Sequence, residues 1–378
     1  MLDESLLDAP EALARADRRG LLRGAAEAGA RVRSASRHAA EAGITELTPE
    51  GRPRAVMVAG SGTAATGVVD LISALAGASA PVTRISPSGV APAAGAMRWT
   101  LPGWAGSVDL LLIATADGSE PGLALLAEQA YRRGCTVVAV APHRSPLREA
   151  VDGVHGLVVP MASAPHGEYD AETSAAGPGT LWALFTPLLA LLDRVGLVTA
   201  TPEALQGVAD RLDRTAERCG PTIATYSNPA KTLAAELADS LPLIWTEGDA
   251  AGPVGRRFAA VLAELSGRPA LAAELPEALP AHGALLAGSF AAGADPDDFF
   301  RDRVDETEPL HARVVLLRDR PTGGLSAAPA ARELALGHDT AISELEPEEG
   351  TELEALAELL AVTDFAAVYL SLASASHP

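Results

Sequence analysis

Asp109-Leu-Leu-Leu-Ile-Ala-Thr115, followed by Ala116-Asp117-Gly118-Ser119-Glu120-Pro121-Gly122 and then Leu123 to Arg133, is the stretch that decides the fold. It reads as a strand, a small polar loop and the start of a helix. That succession points free backbone N–H groups and the positive end of a helix dipole at one place, where sugar or nucleotide phosphates bind. Here two carboxylates, Asp117 and Glu120, stand in the loop where an anion would sit.

The same alternation extends on both sides. Residues 3–43 read as helices with Leu6, Leu7, Leu13, Leu21 and Leu22 available for a buried stripe. Residues 54–60, 81–86, 136–142 and 156–161 are further strand-like runs, mostly separated by helical patterns. Strands alternating with helices at this spacing predict a parallel sheet covered on both faces. Residues 181–195 predict a long apolar helix, and residues 201–219 a second, with a threonine cap and a proline at its first position. The pattern then restarts, with strand candidates at 241–246, 269–273, 312–317 and 339–343. Between and after them, 254–265 and 332–336 read as helical, 353–360 as an acidic amphipathic helix and 364–373 as another helix. The organisation expected is N-terminal helices at 1–45, a first α/β domain at 46–200 and a helical linker at 201–230. A second α/β domain at 231–362 and a C-terminal helix at 363–378 complete it.

The 378 residues suggest two domains of common size. With 48% hydrophobic and 21% charged residues, the chain has the composition of a globular protein. A net charge of -20 argues against partners such as nucleic acid or an acidic membrane. No apolar stretch reaches the length expected of a spanning helix, and the N-terminus lacks a basic-then-apolar leader, so a cytoplasmic location is expected. Cys135 and Cys219 lie far apart and read as reduced structural thiols. Lys231 is the only lysine, so a lysine base or Schiff base could be no other residue, and no Gly-Lys-Ser/Thr phosphate loop exists. The eight histidines show no metal-ligand spacing, and the acidic run 344–358 reads as a solvated face; no metal or cofactor is expected.

Gly60-Ser-Gly-Thr-Ala-Ala-Thr-Gly67 also follows a strand and opens a helix, with spacing unlike that of a dinucleotide-binding turn. Together with Thr115–Gly122 it forms a pair of loops at strand ends of one sheet, the arrangement that flanks a ligand crevice. On these residues the chain resembles the double sugar isomerase (SIS) domain proteins, nearest in pattern to the bifunctional phosphoglucose/phosphomannose isomerases. The family's GxGGSAIGGD is matched by residues 60–67 and its SYSGNTEET by Thr115-Ala-Asp-Gly-Ser-Glu120. NPAKxLA is matched by Asn228-Pro-Ala-Lys-Thr-Leu-Ala234. NENxKxPA is matched loosely by residues 263–270, PExxHN loosely by residues 275–282, and DYxSxYLAL by Asp364-Phe-Ala-Ala-Val-Tyr-Leu-Ser-Leu372.

The resemblance implies two three-layer αβα SIS domains with parallel sheets, and a homodimer in which a partner subunit supplies a histidine. It implies isomerisation of glucose 6-phosphate or mannose 6-phosphate to fructose 6-phosphate through an enediol. By motif position Glu264 would be the base and His282 the ring-opening group, a coherent pair because proton abstraction beside a carbonyl needs a positioned carboxylate. Gly60, Ser61, Gly62, Thr63, Thr115, Asp117, Gly118, Ser119 and Glu120 would bind substrate. Several departures weigh against turnover. Asp117 and Glu120 replace neutral hydroxyls, and Ala64 replaces a serine. No Arg or Lys lies between Arg148 and Arg194, where Glu168, Asp170 and Glu172 stand instead, and the family's catalytic lysine has no counterpart before Pro378. Like charges about 4 Å apart repel by about 4 kcal/mol at an effective dielectric near 20. Three readings therefore stand: an isomerase, a non-catalytic SIS-fold protein binding a carbohydrate derivative or acting in regulation, and an isomerase of neutral or amino sugars.

Overall fold

The computed structural model describes residues 2–89, 97–161, 177–288, 310–319 and 325–374. It divides into two compact units, Arg19–Arg214 and Met1–Arg18 with Thr215–Pro378. The chain starts with four helices, α1 (Glu4–Leu7), α2 (Pro10–Ala16), α3 (Leu21–Ala26) and α4 (Ala28–Glu41). The first two belong with the second sheet and the other two with the first. Leu7 and Leu13 anchor the first pair by burial, and Asp3 N–H donates to Ala373 O at 2.9 Å.

The first sheet is built from β1 (Val56–Ala59), β2 (Val82–Ile85), β3 (Leu110–Ala114), β4 (Thr136–Ala141) and β5 (Leu157–Pro160). All neighbours are parallel, in the order β2-β1-β3-β4-β5, with Val56 opposite both Val82 and Leu110. Parallel strands need crossovers, supplied by α5 (Gly62–Ala76), α6 (Pro121–Arg132) and α7 (Pro146–Gly153). β1, β3 and nearly all of β4 are buried, which explains their unbroken apolar runs. Leu111 and Ile113 pack with Leu123 and Leu126 of α6 and Leu147 of α7. On the sheet's other side α8 (Thr180–Arg194) packs with α4 and α5, giving three layers.

The helix α9 (Pro202–Cys219) carries the chain across the division between units. Beyond it come α10 (Pro229–Leu237), β6 (Ser240–Glu247), α11 (Ala251–Ser266), β7 (Leu271–Glu274) and α12 (Ala278–Leu286). After these follow β8 (His311–Arg318), α13 (Ala328–Gly337), β9 (Ile342–Leu345) and α14 (Glu352–Ser374). The strands form a second parallel sheet in the order β7-β6-β8-β9. Leu241, Leu243 and Trp245 of β6 pack with α12 and α13, while α10, α11 and α14 cover the other face.

Two expectations change here. The two helices expected at 353–360 and 364–373 are one helix, α14, of 23 residues. By length and composition α14 could cross a bilayer, so a stretch of spanning length does exist; 94% of its most apolar window is buried inside the protein. Its acids mislead because two of them are not solvated. Glu358 accepts from Arg218 Nη2 at 3.0 Å, and Asp364 pairs with Arg257 at 2.7 Å, both acids being buried.

Candidate functional site

In the first sheet β1 leads through α5 to β2 on one side, while β3 leads through α6 to β4 on the other. The switch point therefore lies between the carboxyl ends of β1 and β3, the position where open α/β sheets bind ligands. The loops after these strands are the two glycine-bearing loops. Gly60 presses on the backbone oxygen of Ala114 so closely that a Cβ has no room, which holds the first loop against the end of β3. Ser61 is the N-cap of α5, extended at φ -115° and ψ 148°, and its hydroxyl makes no capping bond. Gly62 and Thr63 begin the helix's first turn. Arg84 of β2, which sequence reasoning passed over, donates to Thr66 Oγ1 in α5 at 3.2 Å. Its distance along the chain from either loop left no signal to find it by.

The second loop satisfies several of its own donors. Thr115 is buried, and its Oγ1 accepts from Gly118 N–H at 3.0 Å and Asp117 N–H at 3.3 Å. Glu120 is the N-cap of α6, with Oε1 accepting from Gly122 N–H at 3.1 Å. Asp117 is exposed and accepts from the Ser119 hydroxyl. The two carboxylates thus play different parts. Glu120 occupies the helix start an anion would use, and Asp117 folds over its own loop at the surface.

Glu264 and His282 lie in the other unit. Glu264 is exposed in the last turn of α11, and His282 is buried in the second turn of α12. Since α11 and α12 cover opposite faces of the second sheet, the structure does not bring these two residues together within one chain. His282 Nδ1 accepts from Trp245 Nε1 at 2.8 Å, and burial pushes the imidazole below its ordinary value. Lys231 is fully buried and donates to the backbone oxygens of Pro221 at 2.8 Å and Ile223 at 2.7 Å. Its Nζ lies 5.5 Å from the Tyr369 ring centroid, and burial lowers its pKa; it ties the 221–223 turn to α10. Among the described residues no group of three or more His, Cys, Asp or Glu is arranged to hold a metal. Glu168, Asp170 and Glu172 lie outside the described residues.

Residues 226–378 match the family model of the bacterial phospho-glucose isomerase C-terminal SIS domain. Among solved structures, a provisionally assigned phosphosugar isomerase from Silicibacter pomeroyi aligns at TM-score 0.56 and 16% identity, over 92% of this chain and 95% of that one. A provisionally assigned sugar-binding protein from Salmonella typhimurium aligns at TM-score 0.55 and 16% identity, over 91% and 98%. A hypothetical protein from Thermus thermophilus aligns at TM-score 0.60 and 15% identity, over 96% and 89%. At such identities the likeness is one of fold. No curated protein matches the chain in sequence.

Proposed function

We propose that this chain, whose residues 226–378 match a SIS-domain model, binds a hexose 6-phosphate at the switch point of its first sheet and acts as a phosphosugar isomerase. The observation that carries this reading is the pair of loops, 60–63 and 115–120, meeting at the ends of β1 and β3. The phosphate fits the start of α5, whose N-cap residue Ser61 makes no side-chain capping bond. It does not fit the start of α6, already capped by Glu120. Carboxylates suit the other end of the ligand, since ionised acids accept from sugar hydroxyls. On this reading Gly60, Ser61, Gly62 and Thr63 hold phosphate, and Thr115, Asp117, Gly118, Ser119 and Glu120 face the sugar.

Turnover would follow the enediol route between glucose 6-phosphate or mannose 6-phosphate and fructose 6-phosphate, with Glu264 as base and His282 opening the ring. Because a sheet separates those two residues, one of them would have to come from a second chain, which a homodimer provides. A cytoplasmic location goes with such charged substrates. The second reading, binding without turnover, draws on the engagement of His282 Nδ1 with Trp245.

NMR of the full chain with fructose 6-phosphate separates the readings. Aldose 6-phosphate signals that disappear in Glu264→Gln are expected for an isomerase. Ligand line-broadening without conversion, lost in Ser61→Asp, would support binding alone. Neither signal would overturn both.

A further inference from the structure

The motif Asn228-Pro-Ala-Lys231 contains the chain's only ε-amine, and the hexose-phosphate reading makes no use of it. Asn228 Oδ1 accepts from the Ala230 and Lys231 amides, both at 3.1 Å, and Nδ2 donates to Gly220 O at 3.1 Å. These bonds draw the turn 220–227 onto the first turn of α10. Lys231 is 0% exposed, and its ammonium places two of its three donors on Pro221 O and Ile223 O. Nζ lies over the Tyr369 ring, 5.5 Å from its centroid, and Tyr369 Oη donates to Cys219 O at 2.6 Å. So held, Nζ has neither a lone pair nor a surface to offer an electrophile.

The turn over Lys231 is itself fastened by polar contacts. Thr222, Tyr226 and Ser227 are exposed. From the first helices of the same unit, exposed Asp8 reaches Thr225, its Oδ1 accepting from the amide at 2.8 Å and from the hydroxyl at 2.9 Å. The Thr225 amide, and then its hydroxyl, hold the Asp8 carboxyl below the ordinary aspartate value. Thr232 Oγ1 adds a bond to Thr225 O at 2.8 Å. Segments with few buried apolar contacts and exposed hydrogen bonds open locally, well below the free energy of global unfolding.

We propose that Lys231 is a latent acylation site, uncovered when Thr225 leaves Asp8 and the turn lifts. The ammonium then loses its carbonyl acceptors and gives one proton to water. The amine nitrogen attacks the carbonyl carbon of an acyl phosphate or activated ester. An amide bond forms, the acyl–oxygen bond breaks, and the leaving group departs with that electron pair while a second nitrogen proton passes to solvent. Acylation removes the charge and leaves one N–H where two carbonyl oxygens had donors, so the turn cannot close again over the modified side chain. The inference concerns the other unit from the hexose-phosphate crevice and does not depend on that reading.

The test treats the full chain with the N-hydroxysuccinimide ester of acetic acid, at fixed pH and at urea concentrations below the unfolding midpoint. Acetylation of Lys231 is followed by peptide mass spectrometry. Wild-type labelling should be far slower than in the unfolded chain, with a rate that stays flat at low urea, the mark of a local opening. Asp8→Ala should raise that flat rate about tenfold, the effect expected of losing the two bonds to Thr225. Asp8→Asn, which keeps an acceptor oxygen, should raise it less. Arg332→Ala, which breaks the exposed pair with Glu344 elsewhere in the unit, should leave it unchanged. Labelling of the wild type as fast as the unfolded chain would show an open lysine. A rate that climbs steeply with urea from the start would show exposure by global unfolding alone. Either result, or equal rates in Asp8→Ala and Arg332→Ala, overturns the proposal.

Discussion

His282 shows how far a residue's type constrains its work. The resemblance gave His282 a ring-opening role by motif position, and in the structure its Nδ1 accepts from the Trp245 indole in a buried site. The sign of its pH effect follows from that burial. With the folded pKa depressed below 6.5, the unfolded chain takes up the proton first as pH falls. The contribution to stability is therefore complete above about pH 6.5 and is lost as pH drops from there toward the folded value. His282→Phe should flatten that part of the pH dependence, seen as denaturant midpoints compared above and below pH 6.5. It should also cost about 1–3 kcal/mol at neutral pH, because the Trp245 N–H loses its acceptor. An unchanged slope would contradict a buried neutral imidazole. Asp117 and Glu120 carry the same lesson. The sequence placed both in the loop, but only the backbone's path made Glu120 a helix cap and left Asp117 at the surface.

At the scale of elements, α11 and α14 are joined by a buried ion pair. Arg257 Nη2 donates to both Asp364 oxygens, at 2.7 and 3.0 Å, while Arg257 Nε and Nη1 have no partner. Burial pushes the Asp364 carboxyl up, with Arg257 working against that shift. A pair so completely desolvated makes a small net contribution, but breaking it strands a charge. Arg257→Met should therefore cost about 3–5 kcal/mol in denaturant unfolding, and adding Asp364→Leu should recover most of the loss. If the double variant is no more stable than the single, the pair adds more than this accounting allows. The sequence concealed this contact because Asp364 stood out only as a motif position, and its arginine lies on a helix more than a hundred residues away.

At the scale of the molecule, the helix starts beside the corresponding strand ends of the two sheets differ. The first has an N-cap serine that makes no capping bond, and in the second Asp319 and Glu247 accept from the Ala250 and Ala327 amides. Hydrogen exchange with fructose 6-phosphate should then slow amides in 60–63 and leave Ala250 and Ala327 unchanged. Protection at Ala250 and Ala327 alone would place the ligand in the wrong unit.

Alternating apolar runs and helical stretches were enough to read the parallel αβα layers, because strand burial and crossover length are local properties of the chain. The loops at the first switch point were legible for the same reason, since glycines, caps and strand ends lie within a few residues of one another. Which helices the N-terminal segment joins, the buried pairing of Asp364 and the fates of Glu247, Asp319 and His282 were settled only by folding. Each depends on a partner distant in sequence, and a charge or a ring nitrogen takes its role from whatever the fold places within about 3 Å of it.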